Sequence, residues 1–355
     1  MSKIAVIDAD LIGRRRHNFP NLTCMKISGY HKNLGDDVTL KLDYDDLGIF
    51  DKVYIAKVFT DTYFPDGGLF GKITDLPNVE IGGTGFYYDK SKPLPLDIEH
   101  TKPDYHLYDK WISIAPSDTK LKYYKDYSIG FLTRGCFRHC PFCVNRQSSK
   151  VYANSPLFEF LDTTRKKICL LDDNFFGYAD WEILLRHLIK SDYPFQFKQG
   201  LDVRLLDDKK AELLFKARYD GDYILAFDDW HDAEIIFEKL KLIRKHYKVR
   251  RKVKFYVLCA YDRSGKYDKE FWKWDLNTTC RRINLLRRFD CLVYVMRFEK
   301  YRESPYKQIY NNLAAYANQP QFWAVMPFGE FAEARNKNVD SYTYELERVL
   351  LSEVV

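Results

Sequence analysis

Short apolar runs alternating with amphipathic stretches set the rhythm of the chain. Near the start, Ile4-Ala-Val-Ile7 is an apolar run closed by Asp8-Ala-Asp10, which predicts a strand followed by a turn. Residues Asn21 to Gly35 carry apolar side chains at helical spacing (Leu22, Met25, Ile27, Tyr30, Leu34) and end on a glycine, as a helix and its stop do. Val38 to Leu42 and Lys52 to Ala56 predict two more strands, and Val79-Glu-Ile81 leads into Gly82-Gly-Thr-Gly85. Strands interleaved with helical segments imply a parallel, Rossmann-like sheet over residues 1–88.

Residues 89–126 lose this rhythm. Pro93, Pro95, Pro103 and Pro116 interrupt every periodic pattern, so the segment is expected to be a connecting strap laid across the next domain. From residue 127 a βα alternation resumes. Strands are predicted at Ser128–Leu132, Lys167–Leu171, Phe195–Lys198, Asp222–Phe227, Val253–Leu258 and Cys291–Met296. Helices are predicted at Asp180–Lys190, Asp207–Ala217, Asp232–His246 and Asn277–Phe289, each opening on an Asp or Asn able to cap free N–H groups. About six βα units with apolar strands predict a partial (β/α)6 barrel over 127–300. Residues 301–355 read as a helical C-terminal extension. The expected fold class is therefore α/β: a Rossmann-like domain, a partial barrel and a helical tail.

Composition narrows the class further. With 46% hydrophobic and 30% charged residues in 355, the chain can bury a sizeable core, which excludes intrinsic disorder. Mean hydropathy is −0.43, and no apolar run approaches the roughly 20 residues of a membrane span. The opening MSKIAVIDAD has no apolar leader, so a cytoplasmic location with reduced thiols and no membrane partner is expected. Net charge is mild, 56 − 50 = +6. Its clusters, Arg14 to Arg16 and Arg244 to Lys254, could track phosphates; the plainer reading is a solvated helix end running into a strand. Nucleic acid is thus possible as a partner but not indicated.

The cysteines change the picture. Cys24, Cys169, Cys259, Cys280 and Cys291 are scattered, whereas Cys136, Cys140 and Cys143 fall in Thr133-Arg-Gly-Cys136-Phe-Arg-His-Cys140-Pro-Phe-Cys143-Val-Asn145. Three thiols spaced C-x3-C-x2-C directly after a strand can fold round one face of an iron–sulfur cube, leaving one iron without a protein ligand. Such an open metal position marks a reactive site. Gly135 and Pro141 suit the tight loop. The alternative is zinc, with His139 or a distant residue as fourth ligand, although no second Cys or His pair accompanies the motif.

This motif, placed at the end of the first barrel strand, resembles that of the radical S-adenosylmethionine (SAM) enzymes. The resemblance covers residues 127 to about 300. It implies that Cys136, Cys140 and Cys143 bind a 4Fe–4S cluster whose fourth iron chelates SAM. One electron would then cleave SAM to methionine and a 5′-deoxyadenosyl radical that abstracts hydrogen from a substrate. Phe142 fits the family's aromatic position near the adenine. Leu171-Asp172-Asp173-Asn174-Phe175-Phe176 resembles the Asp-Asp-x-Phe variant that faces the SAM amino group in the methylthiotransferase-like and cobalamin-domain branches; an N-cap pair is the plainer role for the carboxylates. Gln199-Gly-Leu-Asp202-Val-Arg204 also resembles those branches. There Arg204 would neutralise the SAM carboxylate and Gln199 would face the barrel mouth. Asp228 and Asp229 stand where the family places a ribose-binding residue. The family also implies an electron donor such as flavodoxin or ferredoxin, and names neither a substrate nor a residue that handles it.

A Rossmann-like domain ahead of such a barrel, with Gly82-Gly-Thr-Gly85, Pro103-Asp-Tyr105 and Gly130-Phe-Leu-Thr-Arg-Gly135, resembles the cobalamin-dependent branch. The Asp-x-His-x-x-Gly motif that ligates cobalamin is missing after the first strand, where Asp8 and Asp10 are followed by Leu11-Ile-Gly-Arg-Arg-Arg16. Cobalamin is therefore doubtful, and the N-terminal domain is expected to serve as a cover. Only Cys24 stands where methylthiotransferases carry three cysteines, which disfavours that activity. A cobalamin-dependent radical SAM methyltransferase, an RNA- or nucleobase-modifying radical SAM enzyme and a zinc-binding module remain as alternatives.

Overall fold

Apart from residues 15–16, 67–71, 118 and 353–355, every residue is described in the computed structural model. The strands β1 (Lys3–Asp8), β2 (Asp37–Lys41), β3 (Lys52–Ala56) and β4 (Val79–Gly82) form one parallel sheet in the order β2-β1-β3-β4. Ile4 of β1 lies opposite Val38 on one side and Lys52 on the other. As a central parallel strand, β1 is apolar on both faces and buried from Ile4 to Asp8. Val6 packs with Met25 and Ile27 of the helix Leu22–Asn33, while Ala5 and Ile7 pack with Val53, Ile55 and Leu47. Asn21 caps that helix through the Thr23 N–H at 3.0 Å, and Gly35 follows it at φ 82°. The turn expected after β1 is instead a short helix, Ala9–Gly13, because the Asp8 carboxylate accepts the Asp10 and Leu11 N–H groups that open it.

The prolines of 89–126 prevent long helices there and leave short ones at Leu96–Glu99, Asp109–Ile114 and Lys122–Lys125. Bulky apolar residues between the prolines must still be buried. Ile98, Tyr105, Leu107, Tyr108 and Tyr124 join the core on the face of the first sheet that carries the helix Leu22–Asn33. The strap thus lies over the first sheet. Beyond it, β5 (Tyr127–Gly130), β6 (Thr133–Arg134), β7 (Tyr152–Ala153) and β8 (Lys167–Leu170) follow, with β5 parallel to β8 and β6 antiparallel to β7.

The chain divides into two compact units, Met1–Leu171 and Asp172–Val355, inside the stretch read as one barrel. In the second unit β9 (Phe195–Phe197) precedes a parallel array of β10 (Tyr223–Ala226), β11 (Val253–Cys259) and β12 (Leu292–Arg297). Single bridges, Phe195 to Tyr219 and Leu201 to Leu225, connect the β9 region to β10. Helices Trp181–Lys190, Asp208–Lys216 and Ala233–His246 fall where the periodicity puts them. The next helix, Lys269–Arg288, starts eight residues before Asn277. Its cap is Asp268, which accepts the Phe271 N–H at 2.8 Å, and buried Trp272 and Leu276 extend the apolar stripe backward. Helices Lys307–Ala317, Pro320–Trp323, Phe328–Arg335 and Tyr342–Leu351 complete the unit. The architecture is mixed α/β with parallel sheets. Cys24, Cys169, Cys259, Cys280 and Cys291 are all buried, as small apolar side chains would be. Among the described residues no helix is long and apolar enough to cross a membrane.

Candidate functional site

The three clustered cysteines lie on the loop between β6 and β7, whose antiparallel pairing closes its stem. Gly135 turns the chain at φ 88°; a Cβ there would come within 2.4 Å of the Lys150 carbonyl oxygen. His139 sits at φ 48°, a second left-handed turn. Cys136, Cys140 and Cys143 are half-buried. The Cys143 N–H donates to the Cys140 carbonyl at 2.9 Å. Two further backbone N–H groups point at sulfur, Arg138 to Cys136 Sγ at 3.5 Å and Asn145 to Cys143 Sγ at 3.4 Å. Among the described residues, no group of three or more His, Cys, Asp or Glu side chains is placed to hold a metal ion.

Residues well before the motif tether this loop. The Tyr88 hydroxyl donates to the Phe142 carbonyl at 2.9 Å. Arg146 donates to Asp89 from Nε at 2.7 Å and to the Pro141 carbonyl from a terminal nitrogen at 2.8 Å. That guanidinium holds the Asp89 carboxyl below its ordinary value. His139 Nδ1 meets the Arg146 carbonyl at 2.8 Å, which fixes that ring. The stem is held from within by Glu99, whose carboxylate takes Lys26 Nζ at 2.9 Å, Arg134 at 3.3 Å and Asn154 at 3.1 Å. Burial alone would push Glu99 up; the charges of Arg134 and Lys26 outweigh it and hold the carboxyl low. Burial likewise lowers Lys26 against the opposing pull of Glu99.

The other expected ligand residues are placed as follows. Phe142 is half-buried within the loop. Asp172 is buried and Asp173 half-buried at the start of the second unit, and neither is an N-cap: Asn174 precedes the turn Phe175–Gly177. Phe175 and Phe176 fasten that turn against Phe197 and Trp181, with ring centroids 4.7 and 5.7 Å apart. Gln199 is exposed beside Gly200, which has φ 102°. Arg204 is held by two carboxylates, Asp202 and Asp232, each at 2.9 Å. Asp228 accepts the Leu258 N–H at 3.0 Å, and burial raises its pKa despite the charge of Arg282. Asp229 caps the following turn and pairs with Arg263 at 3.0 Å.

Sequence reasoning missed two polar networks. In the second unit Arg282, 2% exposed, spans the ends of β10 and β11 by donating to the carbonyls of Phe227, Asp228 and Leu258 at 3.0, 2.7 and 2.9 Å. Nearby, buried Asp275 accepts from the Ala260 N–H at 2.8 Å and the Tyr310 hydroxyl at 2.7 Å. Burial raises the Asp275 pKa, with Arg282 opposing. The signal was present: residues 275 and 282 are two helical turns apart on the stripe of Leu276 and Ile283. In the first unit Asp8 and Asp10, both fully buried, lie at the end of β1. Asp8 accepts from the Tyr108 hydroxyl at 2.8 Å, and Asp10 from the Val58 N–H at 2.6 Å and from Thr62. His17 Nε2 faces Asp8 at 3.6 Å and is enclosed.

The basic stretch 244–254 is partly neutralised by carboxylates at the surface, and Lys248, Arg251 and Lys252 stay exposed. Lys245 and His246 pair with Asp208, Arg250 with Asp290 and Lys254 with Asp222, while Arg244 donates to the Phe289 carbonyl. Arg14 pairs with Asp61 at 2.6 Å; Arg15 and Arg16 lie outside the described residues.

No family model matches the sequence, and no curated protein matches it either. Among solved structures, the chain is similar to the cobalamin-dependent S-adenosylmethionine radical enzyme OxsB with aqua-cobalamin and S-adenosylmethionine bound. The TM-score is 0.52 at 10% identity, over 94% of this chain and 56% of that one. The apo, selenomethionine-labelled form of OxsB gives a TM-score of 0.41 at 11% identity, over 84% and 49%. At such identity the likeness is one of fold. The chain spans a little over half the length of that enzyme.

Proposed function

We propose that this chain is a radical SAM enzyme whose cluster is held by Cys136, Cys140 and Cys143. The observation that carries this reading is the tethered loop itself. Three half-buried thiols share one loop, and backbone N–H groups point at two of the sulfurs, the outer contacts that orient and tune iron–sulfur ligands. Three thiols on one loop suit a cube with one open iron, each thiolate binding a different iron. The OxsB-like fold supports the same class.

When bound, the cluster would supply the electron that cleaves SAM to methionine and a 5′-deoxyadenosyl radical. The chain's own residues do the rest. Gly135 and His139 bend the loop, Arg146 and Tyr88 pin it, and Phe142 offers an aromatic face for adenine. In the second unit Asp172 and Asp173 are assigned to the SAM amino group, Arg204 to the SAM carboxylate, Gln199 to the barrel mouth and Asp228 to the ribose. Asp202 and Asp232 orient Arg204 and also offset its charge, so a SAM carboxylate would have to compete with them for its donors. An electron donor of the flavodoxin or ferredoxin type completes the scheme. A partial barrel over 127–300 remains part of the proposal.

Anaerobic reconstitution with iron and sulfide tests the reading. Brown protein that forms 5′-deoxyadenosine from SAM is expected, with both properties lost in each of Cys136→Ala, Cys140→Ala and Cys143→Ala. Colourless, zinc-loaded protein would overturn it. Arg204→Ala should weaken SAM by about 1.5–3 kcal/mol, and unchanged affinity would remove that residue from the site.

The fold likeness also favours a second reading, a cobalamin-dependent enzyme. Against ligation through histidine, His17 Nε2 is turned toward Asp8 and enclosed. Purified protein mixed with hydroxocobalamin should retain no corrinoid after gel filtration. Stoichiometric retention would favour a cobalamin-dependent methyltransferase.

A further inference from the structure

In the second unit a groove of about 940 Å³ runs beside the end of β12, walled by the helices Lys307–Ala317 and Phe328–Arg335. Arg297, Lys307 and Arg335 line it, and none of its lining residues is acidic. Among the described residues none of these three cations joins an ion pair, whereas Arg146, Arg204 and Arg250, for example, are each paired with a carboxylate.

Neutral amides hold the arginines instead. Arg297 donates to the Asn311 side-chain oxygen, and Arg335 to that of Asn312 at 3.4 Å. Gln308 donates to Asn336 at 2.6 Å. An amide oxygen fixes the direction of a guanidinium without cancelling its charge, so the positive potential stays available to an outside anion. Gln308, Asn311 and Asn312 fall at i, i+3 and i+4, which places these amides on one face of the helix Lys307–Ala317 beside the cations. Tyr294, 45% exposed on β12, lines the same groove and offers a ring for stacking.

We infer that this groove binds a nucleotide, either free or as one residue of a single strand. Three uncompensated cations suit phosphate, amides suit the hydrogen-bonding edges of a base, and the tyrosine suits its face. The volume exceeds what a bare phosphate would fill and falls in the range of small-molecule sites. The inference stands apart from the cluster chemistry, and its test is read without turnover.

The full chain is titrated into a fluorescein-labelled single-stranded RNA dodecamer and followed by anisotropy, with AMP and inorganic phosphate as competitors. Lys307→Gln and Arg335→Gln should each weaken binding about tenfold and flatten its salt dependence, because each removes one phosphate contact. Arg250→Gln, at the exposed pair with Asp290, should change nothing. Tyr294→Ala should weaken RNA and AMP without affecting phosphate, and Tyr294→Phe should restore both. Competition by AMP identifies a free nucleotide as the ligand; RNA binding that AMP leaves intact identifies a strand. No binding of any probe, undiminished binding by the Lys307→Gln/Arg335→Gln double variant, or phosphate competing as well as AMP with Tyr294→Ala silent would each overturn the inference.

Discussion

Gly135 and Arg282 show how much can hang on one side chain. At φ 88° Gly135 adopts a backbone that other residues enter only at a cost of roughly 1–2 kcal/mol, and a methyl group there meets the Lys150 carbonyl. Gly135→Ala should therefore distort the loop and lower iron retention after reconstitution with all three thiols present. Retention equal to wild type would show that the loop does not need this turn. Arg282 is a buried cation that binds three strand-end carbonyls and has no ion pair with a carboxylate among the described residues. Arg282→Met removes all three bonds and leaves Asp275 without its nearby positive charge. A loss of about 3–5 kcal/mol is expected in denaturant unfolding, and a loss under 1 kcal/mol would refute the account.

Among elements, the β6–β7 stem is held by charge, through Glu99 with Lys26 and Arg134. Glu99 is held below its ordinary value while folded, so its contribution is complete above the usual glutamate range and is lost as pH falls through the folded value. Replacing it by Gln strands Lys26 and Arg134, at a cost of about 3 kcal/mol near neutral pH. The difference in unfolding free energy between wild type and Glu99→Gln should shrink steadily as the pH is lowered from about 5 to 3. A constant difference would mean that Glu99 acts through shape alone. The loop above the stem has its own tether: Asp89→Ala should remove one anchor of Arg146, which keeps its bond to the Pro141 carbonyl, and speed iron loss to a chelator, leaving global stability nearly unchanged.

For the molecule as a whole, the strap sets the limit on what can be removed. Tyr105, Tyr108 and Tyr124 are at most 4% exposed because they share a core with β1 and the helix Leu22–Asn33. A protein that begins at residue 89 would present these rings to water. Such a truncation should aggregate, measured as soluble yield, whereas an N-terminal domain that served only as a cover would leave a soluble fragment. Recovery of that fragment as a folded monomer would overturn the packing argument.

Most strands and the long helices of the βα stretch could be read from the sequence, because apolar periodicity and Asp or Asn caps act over a few residues; the short helices could not. The same local chemistry singled out Cys136, Cys140 and Cys143: ligand spacing within one loop is a property of the chain itself. What required the third dimension was every partnership between distant residues. Asp89 and Arg146, Glu99 and Arg134, and Arg282 with the ends of β10 and β11 are separated by 57, 35 and 24 to 55 positions, and no periodicity links them. The helix that begins at Asp268 was masked by charged residues between its apolar ones. The basic run 244–254 looked available in sequence, but folding placed Asp208, Asp222 and Asp290 against part of it, while Arg297 and Arg335 met amides and aromatic rings and no carboxylate among the described residues. Local pattern fixes which residues are charged or ligating; only the packing of distant elements decides which of those charges are already neutralised.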